Sequence, residues 1–112
     1  MGVKVQVLSF DGCPGHAPAG VLVTDVVAEF APGTLVEEVD ASDPAVAARL
    51  RFPGSPTVRV DGVDVDPGYV DTGDYSPRCR VYRTSAGLAP VPQREWVEDA
   101  VRRAAGRGPL SR

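Results

Sequence analysis

The chain opens on a period of two. Val3, Val5, Val7 and Ser9 alternate with Lys4, Gln6, Leu8 and Phe10, polar on one side at first and apolar on both sides at the end. This predicts a strand inside a sheet covered on both faces. Ala17 to Phe30 is mostly apolar and supports two readings. The β-branched Val21, Val23, Val26 and Val27 favour a strand. The length of about fourteen residues, with Asp25 and Glu29 four apart, favours a helix, and a helix is the expectation. Ala31-Pro32-Gly33 stops it. Leu35 to Val39 reads as a second strand ending in Asp40. Ser42-Asp43-Pro44 starts a short helix completed by Ala45 to Leu50, with a capping residue followed by a proline in the first turn. Pro53-Gly54 turns the chain.

Pro56 stands immediately before Thr57-Val58-Arg59-Val60. A proline cannot donate to a ladder, so it belongs at the start of that strand. Asp61-Gly62 is a two-residue hairpin turn, and Val63-Asp64-Val65 returns as the next strand. Asp66 to Pro92 is rich in Gly, Pro, Asp and Ser, and only Cys79 to Tyr82 looks strand-like. At about 27 residues it is long for a structureless connection, which predicts a functional or covering loop. Gln93 to Ala105 is the last helix, with Trp96, Val97, Ala100, Val101 and Ala104 on one face. Gly106 ends it, and residues 107–112 read as a flexible tail.

Composition narrows the class. The 112 residues, 43% apolar, predict one folded domain over 1–112. No apolar run is long enough to span a bilayer, and the short run Val3 to Phe10 contains Lys4 and Gln6, unlike a secretory segment. A net charge of −3 and the lack of a basic cluster before the C-terminus argue against nucleic acid. Two cysteines far apart do not suggest a disulfide scaffold, and a reducing cytoplasm is the expected compartment.

The candidate chemistry centres on Phe10-Asp11-Gly12-Cys13-Pro14-Gly15-His16. A cysteine between a strand and a helix sits at the positive end of the helix dipole, where a thiolate is stabilised. His16, three residues on, can act as base or as imidazolium partner, and Asp11 can orient it. Cys79 is the candidate second thiol if the long loop folds back over the Cys13 turn. The pair could then be a redox couple or, with His16, a soft-metal site for zinc, copper(I) or mercury(II). Arg78, Arg80 and Arg83 flank Cys79; they could steady its thiolate, but a solvated cluster is the simpler reading. Asp61, Asp64, Asp66, Asp71 and Asp74 do not fit a calcium-loop spacing and read as solvated or turn residues. Tyr69, Tyr75 and Tyr82 are expected to pack the loop onto the domain.

With Cys13-Pro14 after the first strand, Ser55-Pro56 before the third, the Asp61-Gly62 hairpin and a closing helix, the chain resembles the thioredoxin-like fold. His16 stands where the second cysteine of Cys-x-x-Cys would be. The resemblance covers Val3 to Val65 and Gln93 to Ala105 and implies a three-layer α/β fold, a central mixed sheet of about four strands with helices on both faces; the long loop insertion at 66–92 lies outside it. It also implies a cis Pro56 lying against Cys13, with Ser55 offering backbone groups to a bound thiol peptide. Gly12-Cys13-Pro14, Gly54-Ser55-Pro56-Thr57-Val58, Cys79-Arg80-Val81-Tyr82 and the looser Pro92-Gln93-Arg94-Glu95-Trp96 are similar to motifs of small bacterial thioredoxin-like proteins labelled organomercurial (alkylmercury) lyase-like. Lyases proper use two cysteines and an aspartate; here Asp11 is the only acid close to Cys13, and it precedes it.

The expected function is a thiol-based oxidoreductase, or a thiol-dependent protein handling soft metals or organomercurials. Cys13 is the reactive centre, Cys79 the resolving or co-ligating thiol, His16 the tuning residue, and Ser55 and Pro56 shape the groove. No cofactor is required on this reading. Partners would be a small thiol, a disulfide, an organomercurial or a protein thiol. The alternative is a non-catalytic thioredoxin-like module that binds a metal or a protein.

Overall fold

The computed structural model describes residues 3–106. Its elements, in chain order, are β1 (Val5–Ser9), α1 (His16–Phe30), β2 (Val36–Asp40), α2 (Pro44–Arg49), β3 (Thr57–Val60), β4 (Val63–Asp64), β5 (Tyr82–Thr84), β6 (Gly87–Ala89) and α3 (Arg94–Gly106). The tail expected at 107–112 lies outside the described residues.

Four strands form one mixed sheet in the order β2-β1-β3-β4. β1 runs parallel to β2, with Val5 opposite Val36, and antiparallel to β3, with Val7 opposite Val58. Its central place explains its apolar ending: a strand flanked and covered on both sides must bury both faces. Val5 and Val7 point into a core shared with Val23, Val26 and Val27 of α1 and Val97 and Val101 of α3. Leu8 points the other way, onto Ala47 of α2, Ala41 and Phe52. The sheet is thus sandwiched, with α1 and α3 on one face and α2 on the other. The fold is an α/β domain with a mixed four-stranded sheet flanked by helices.

Local chemistry accounts for the joints. Asp43 caps α2 by accepting the Ala45 N–H at 2.8 Å, ahead of Pro44 in the first turn. Asp61 and Gly62 both take positive φ, 52° and 82°, which the tight turn between β3 and β4 requires. Val21, Val23, Val26 and Val27 are helical, three of them against the sheet, so packing overrides their β preference. Among the described residues no helix is long and apolar enough to cross a membrane.

The segment between β4 and α3 departs from a plain loop. Tyr82–Thr84 and Gly87–Ala89 pair antiparallel as a small separate hairpin. Tyr82 anchors it: the side chain is fully buried, packs 6.3 Å from the Trp96 ring and donates its hydroxyl to the Pro56 carbonyl. Upstream, Tyr75 donates to Asp71, and Tyr69 lies on the Arg80 guanidinium.

Candidate functional site

β1 delivers the chain to Asp11 and Gly12, and Gly12 turns it at φ 90°. Cys13 follows, three residues before α1. Its carbonyl accepts the His16 N–H at 3.0 Å, which closes the turn. Gly15 precedes the helix as its N-cap, and Pro18 sits in the first turn, where a missing N–H leaves no gap. Gly15 has a steric role as well. A Cβ there would stand 2.8 Å from Pro56 Cδ and would collide with the Pro90 carbonyl. The turn is wedged between two prolines from distant parts of the chain.

The Ser55–Pro56 peptide bond is cis. Ser55 is fully buried beneath Cys13. The Cys13 thiol donates to the Ser55 carbonyl at 3.2 Å, and the Ser55 hydroxyl accepts the Phe10 N–H at 3.4 Å. The Ser55 backbone also binds the long segment: its N–H donates to the Arg78 carbonyl and its carbonyl accepts the Arg80 N–H, both at 2.7 Å. Ser55 and Cys79 are therefore partners in an isolated parallel β-bridge. Gly54, at φ 140°, lets the two backbones close, since a Cβ there would lie 2.9 Å from Arg80 Cβ. The groups that the thioredoxin resemblance reserves for a bound peptide are occupied by the protein's own chain.

Arg80 fixes this segment to the sheet. Its side chain is only 10% exposed, and it pairs with Asp64 at 2.7 Å and Asp66 at 3.7 Å. It donates to Thr57 Oγ1 at 3.1 Å and lies 4.3 Å over the Tyr82 ring. The expectation that Asp64 and Arg80 are solvated does not hold. Asp64 is 5% exposed, and the two charges neutralise each other in a nearly dry site. Arg78 pairs with Asp74 at 2.5 Å.

Both cysteines are free, Cys13 buried and Cys79 exposed. Their thiols are neighbours, and each alters the other's titration. Burial pushes the Cys13 thiol up, but hydrogen bonds from the Ser55 side chain, the Gly15 backbone, the Cys79 thiol and the His16 backbone outweigh it. The result is a pKa below the ordinary cysteine value. Cys79 moves the opposite way, raised chiefly by its hydrogen bond to Cys13. The arrangement favours a thiolate at Cys13 and a protonated thiol at Cys79.

His16 serves this site through its backbone. Its imidazole Nδ1 shares a 2.6 Å hydrogen bond with the buried Ser9 hydroxyl, and Nε2 lies 3.6 Å from Asp11 Oδ1. Together these residues line a polar cavity of about 290 Å³, with Glu38 and Asp40 on its other wall. So Asp11 does meet His16, and both belong to this second cavity. Among the described residues no group of three or more His, Cys, Asp or Glu side chains is placed to hold a metal ion. Cys13 and Cys79 come together, but they do not form such a group with His16.

Sequence reasoning missed Arg80 and Asp64 as the anchors of Cys79, and Gly15 and Pro90 as the walls of the Cys13 turn. The near-identical Arg-rich and Asp-rich surroundings gave no signal for which charges are buried. No family model, curated protein or solved structure matches this chain.

Proposed function

We propose that this protein is a thioredoxin-like thiol oxidoreductase in which Cys13 is the nucleophile and Cys79 the resolving thiol. The observation that carries the reading is geometric: Ser55 holds the Cys13 thiol and bridges to Cys79, so both cysteines line one recess, and their pKa values are displaced in opposite directions. Thiolate is the attacking species in disulfide exchange, and a protonated neighbour is held ready for the second step. The strand order β2-β1-β3-β4, with Pro56 packed on the turn that carries Cys13, supports the thioredoxin-like part.

The chemistry balances without a metal or cofactor. The Cys13 thiolate attacks one sulfur of a substrate disulfide, forms a mixed disulfide and releases one thiolate. Cys79 gives its proton to that thiolate or to water and attacks the Cys13 sulfur. The second substrate thiolate leaves, and a Cys13–Cys79 disulfide remains. The substrate gains two electrons and the protein loses two; an external dithiol returns the protein to its starting state. Ser55 and the backbone N–H groups of Gly15 and His16 stabilise Cys13 as the thiolate.

Stoichiometric oxidation of the reduced protein with a small disulfide tests the reading. Intact mass should fall by two hydrogens, with a Cys13–Cys79 linked peptide on non-reducing digestion, and Cys79→Ser should accumulate the mixed disulfide at Cys13. Absence of the linked peptide, with Cys13 no more reactive than in the unfolded chain, would leave a non-catalytic binding module.

A second reading rests on the same pair. Two adjacent thiols suit a two-coordinate soft cation such as copper(I) or mercury(II), or the mercury of an organomercurial, whereas structural zinc takes four ligands. Titration of reduced protein with copper(I), giving one ion per chain lost in Cys13→Ser and in Cys79→Ser, would favour it.

A further inference from the structure

We infer that the recess beside the two sulfurs receives an apolar alkyl or aryl group carried by the sulfur of a small disulfide, and that the site selects such compounds over charged ones and over peptides. This rests on the thiol-oxidoreductase reading and names its substrate class.

The recess is a cavity of about 270 Å³ with Cys13 and Cys79 in its wall. Its remaining lining is almost wholly apolar, from Pro14, Val81, Leu88 and Pro90 among others. An apolar cavity of about 150 Å³ accommodates benzene, so this one has room for a benzyl group or a short alkyl chain. Val81 and Leu88 are 62% and 71% exposed. Both belong to the segment around the β5–β6 hairpin, and both stand where an organic substituent would shield them from water.

Two observations exclude other occupants. Among the described residues lining the recess the one cation is Arg80, and its guanidinium is held by Asp64, Asp66, Thr57 and Tyr82, so it has little left to offer a carboxylate. A peptide would need the Ser55 backbone to add itself as a strand, but the Ser55 N–H and carbonyl are bonded to Arg78 and Arg80. What remains accessible at the sulfurs is apolar surface of small-molecule size.

Methanethiosulfonates test this because every member of the series expels the same sulfinate. The Cys13 thiolate attacks the sulfenyl sulfur, forms Cys13–S–S–R and releases methanesulfinate; Cys79 then displaces R–SH. Rates at Cys13 are measured for the benzyl, 2-sulfonatoethyl and 2-(trimethylammonio)ethyl reagents, each divided by its rate with N-acetylcysteine thiolate. A disulfide-linked Cys-containing peptide is run alongside. The benzyl reagent should lead both charged reagents by about tenfold, or about 1.4 kcal/mol. The double variant Val81→Ser, Leu88→Ser should bring the ratio down to about two, while Val63→Ser, on the exposed face of β4, should leave it where it was. Equal normalised rates, a preference for either charge, or faster exchange with the peptide would overturn the inference, even with the Cys13–Cys79 disulfide still forming. Failure of that disulfide to form at all would sink the oxidoreductase reading itself, and the inference with it.

Discussion

Ser55 and Cys79 pair across a single parallel bridge, and the Ser55 carbonyl that takes the Arg80 N–H at 2.7 Å also accepts the Cys13 thiol at 3.2 Å. One peptide group therefore positions both sulfurs. The first consequence is electrostatic. The Cys13 thiol donates to the Ser55 carbonyl and shares a recess with Cys79, so the two thiols titrate as a pair rather than singly.

The pH profile of alkylation should expose this. Iodoacetamide labelling of Cys13, followed by peptide mass, should rise at lower pH than labelling of Cys79. Cys79→Ala removes a donor to the Cys13 sulfur and should move the Cys13 midpoint up; Ser55→Ala should do the same. The stability signs are opposite. Cys13, lowered on folding, adds stability above its unfolded pKa that is lost as pH falls through the folded one. Cys79, raised on folding, adds stability below its unfolded pKa that is lost as pH rises through the folded one. A Cys13 midpoint unmoved by Cys79→Ala would contradict the coupling.

Gly15→Ala should destabilise the fold by about 1–3 kcal/mol, the usual cost of overpacking a tight site. The added methyl has Pro56 Cδ at 2.8 Å and the Pro90 carbonyl in its way. Urea unfolding gives the magnitude, and Cys13 alkylation should change in parallel because the same turn must shift.

Arg80→Met strands Asp64, a carboxylate only 5% exposed. Breaking such a buried pair costs about 3–5 kcal/mol, and removing both charges recovers part of it. Chemical denaturation should therefore rank Arg80→Met as less stable than the double variant Arg80→Met, Asp64→Leu. In the single variant the Cys13–Cys79 linked peptide should also form more slowly, since Arg80 ties the Cys79 segment to the sheet.

His16→Ala leaves the Ser9 hydroxyl, itself 2% exposed, without its 2.6 Å partner. A loss of about 1–3 kcal/mol is expected for a stranded buried polar group. The N–H of residue 16 survives the substitution, so the alkylation midpoint of Cys13 should move less than in Ser55→Ala. A larger shift would place the imidazole, rather than the backbone, in charge of the thiol.

The parts of the fold legible from sequence are those with local signals. Alternation marked β1, Asp61-Gly62 marked the β3–β4 turn, and Asp43-Pro44 marked the start of α2. The β5–β6 hairpin was not legible, because its strands are three residues each and Thr84-Ser85-Ala86-Gly87 has no strong turn dipeptide. The site was half legible. Cys13 and Ser55-Pro56 announce themselves by their neighbours in sequence. The closeness of Cys79 depends on Arg80 being buried against Asp64, and a charged pair in sequence gives no sign of being dry. The side-chain partner of His16 was not legible either: its N–H meets Cys13, while its ring meets Ser9.

The bridge from Ser55 to Cys79 also sets a large covalent ring in waiting. Joining Cys13 to Cys79 would close a loop of about 66 residues, enclosing α1, β2, α2, β3 and β4 and leaving β1, the β5–β6 hairpin and α3 outside it. In the chain-entropy account a ring of that size withdraws about 4 kcal/mol of freedom from the unfolded chain. The oxidised protein should then melt well above the reduced one, so that thermal stability becomes a gauge of redox state, and a cell that oxidises the pair also makes the chain harder to unfold and degrade.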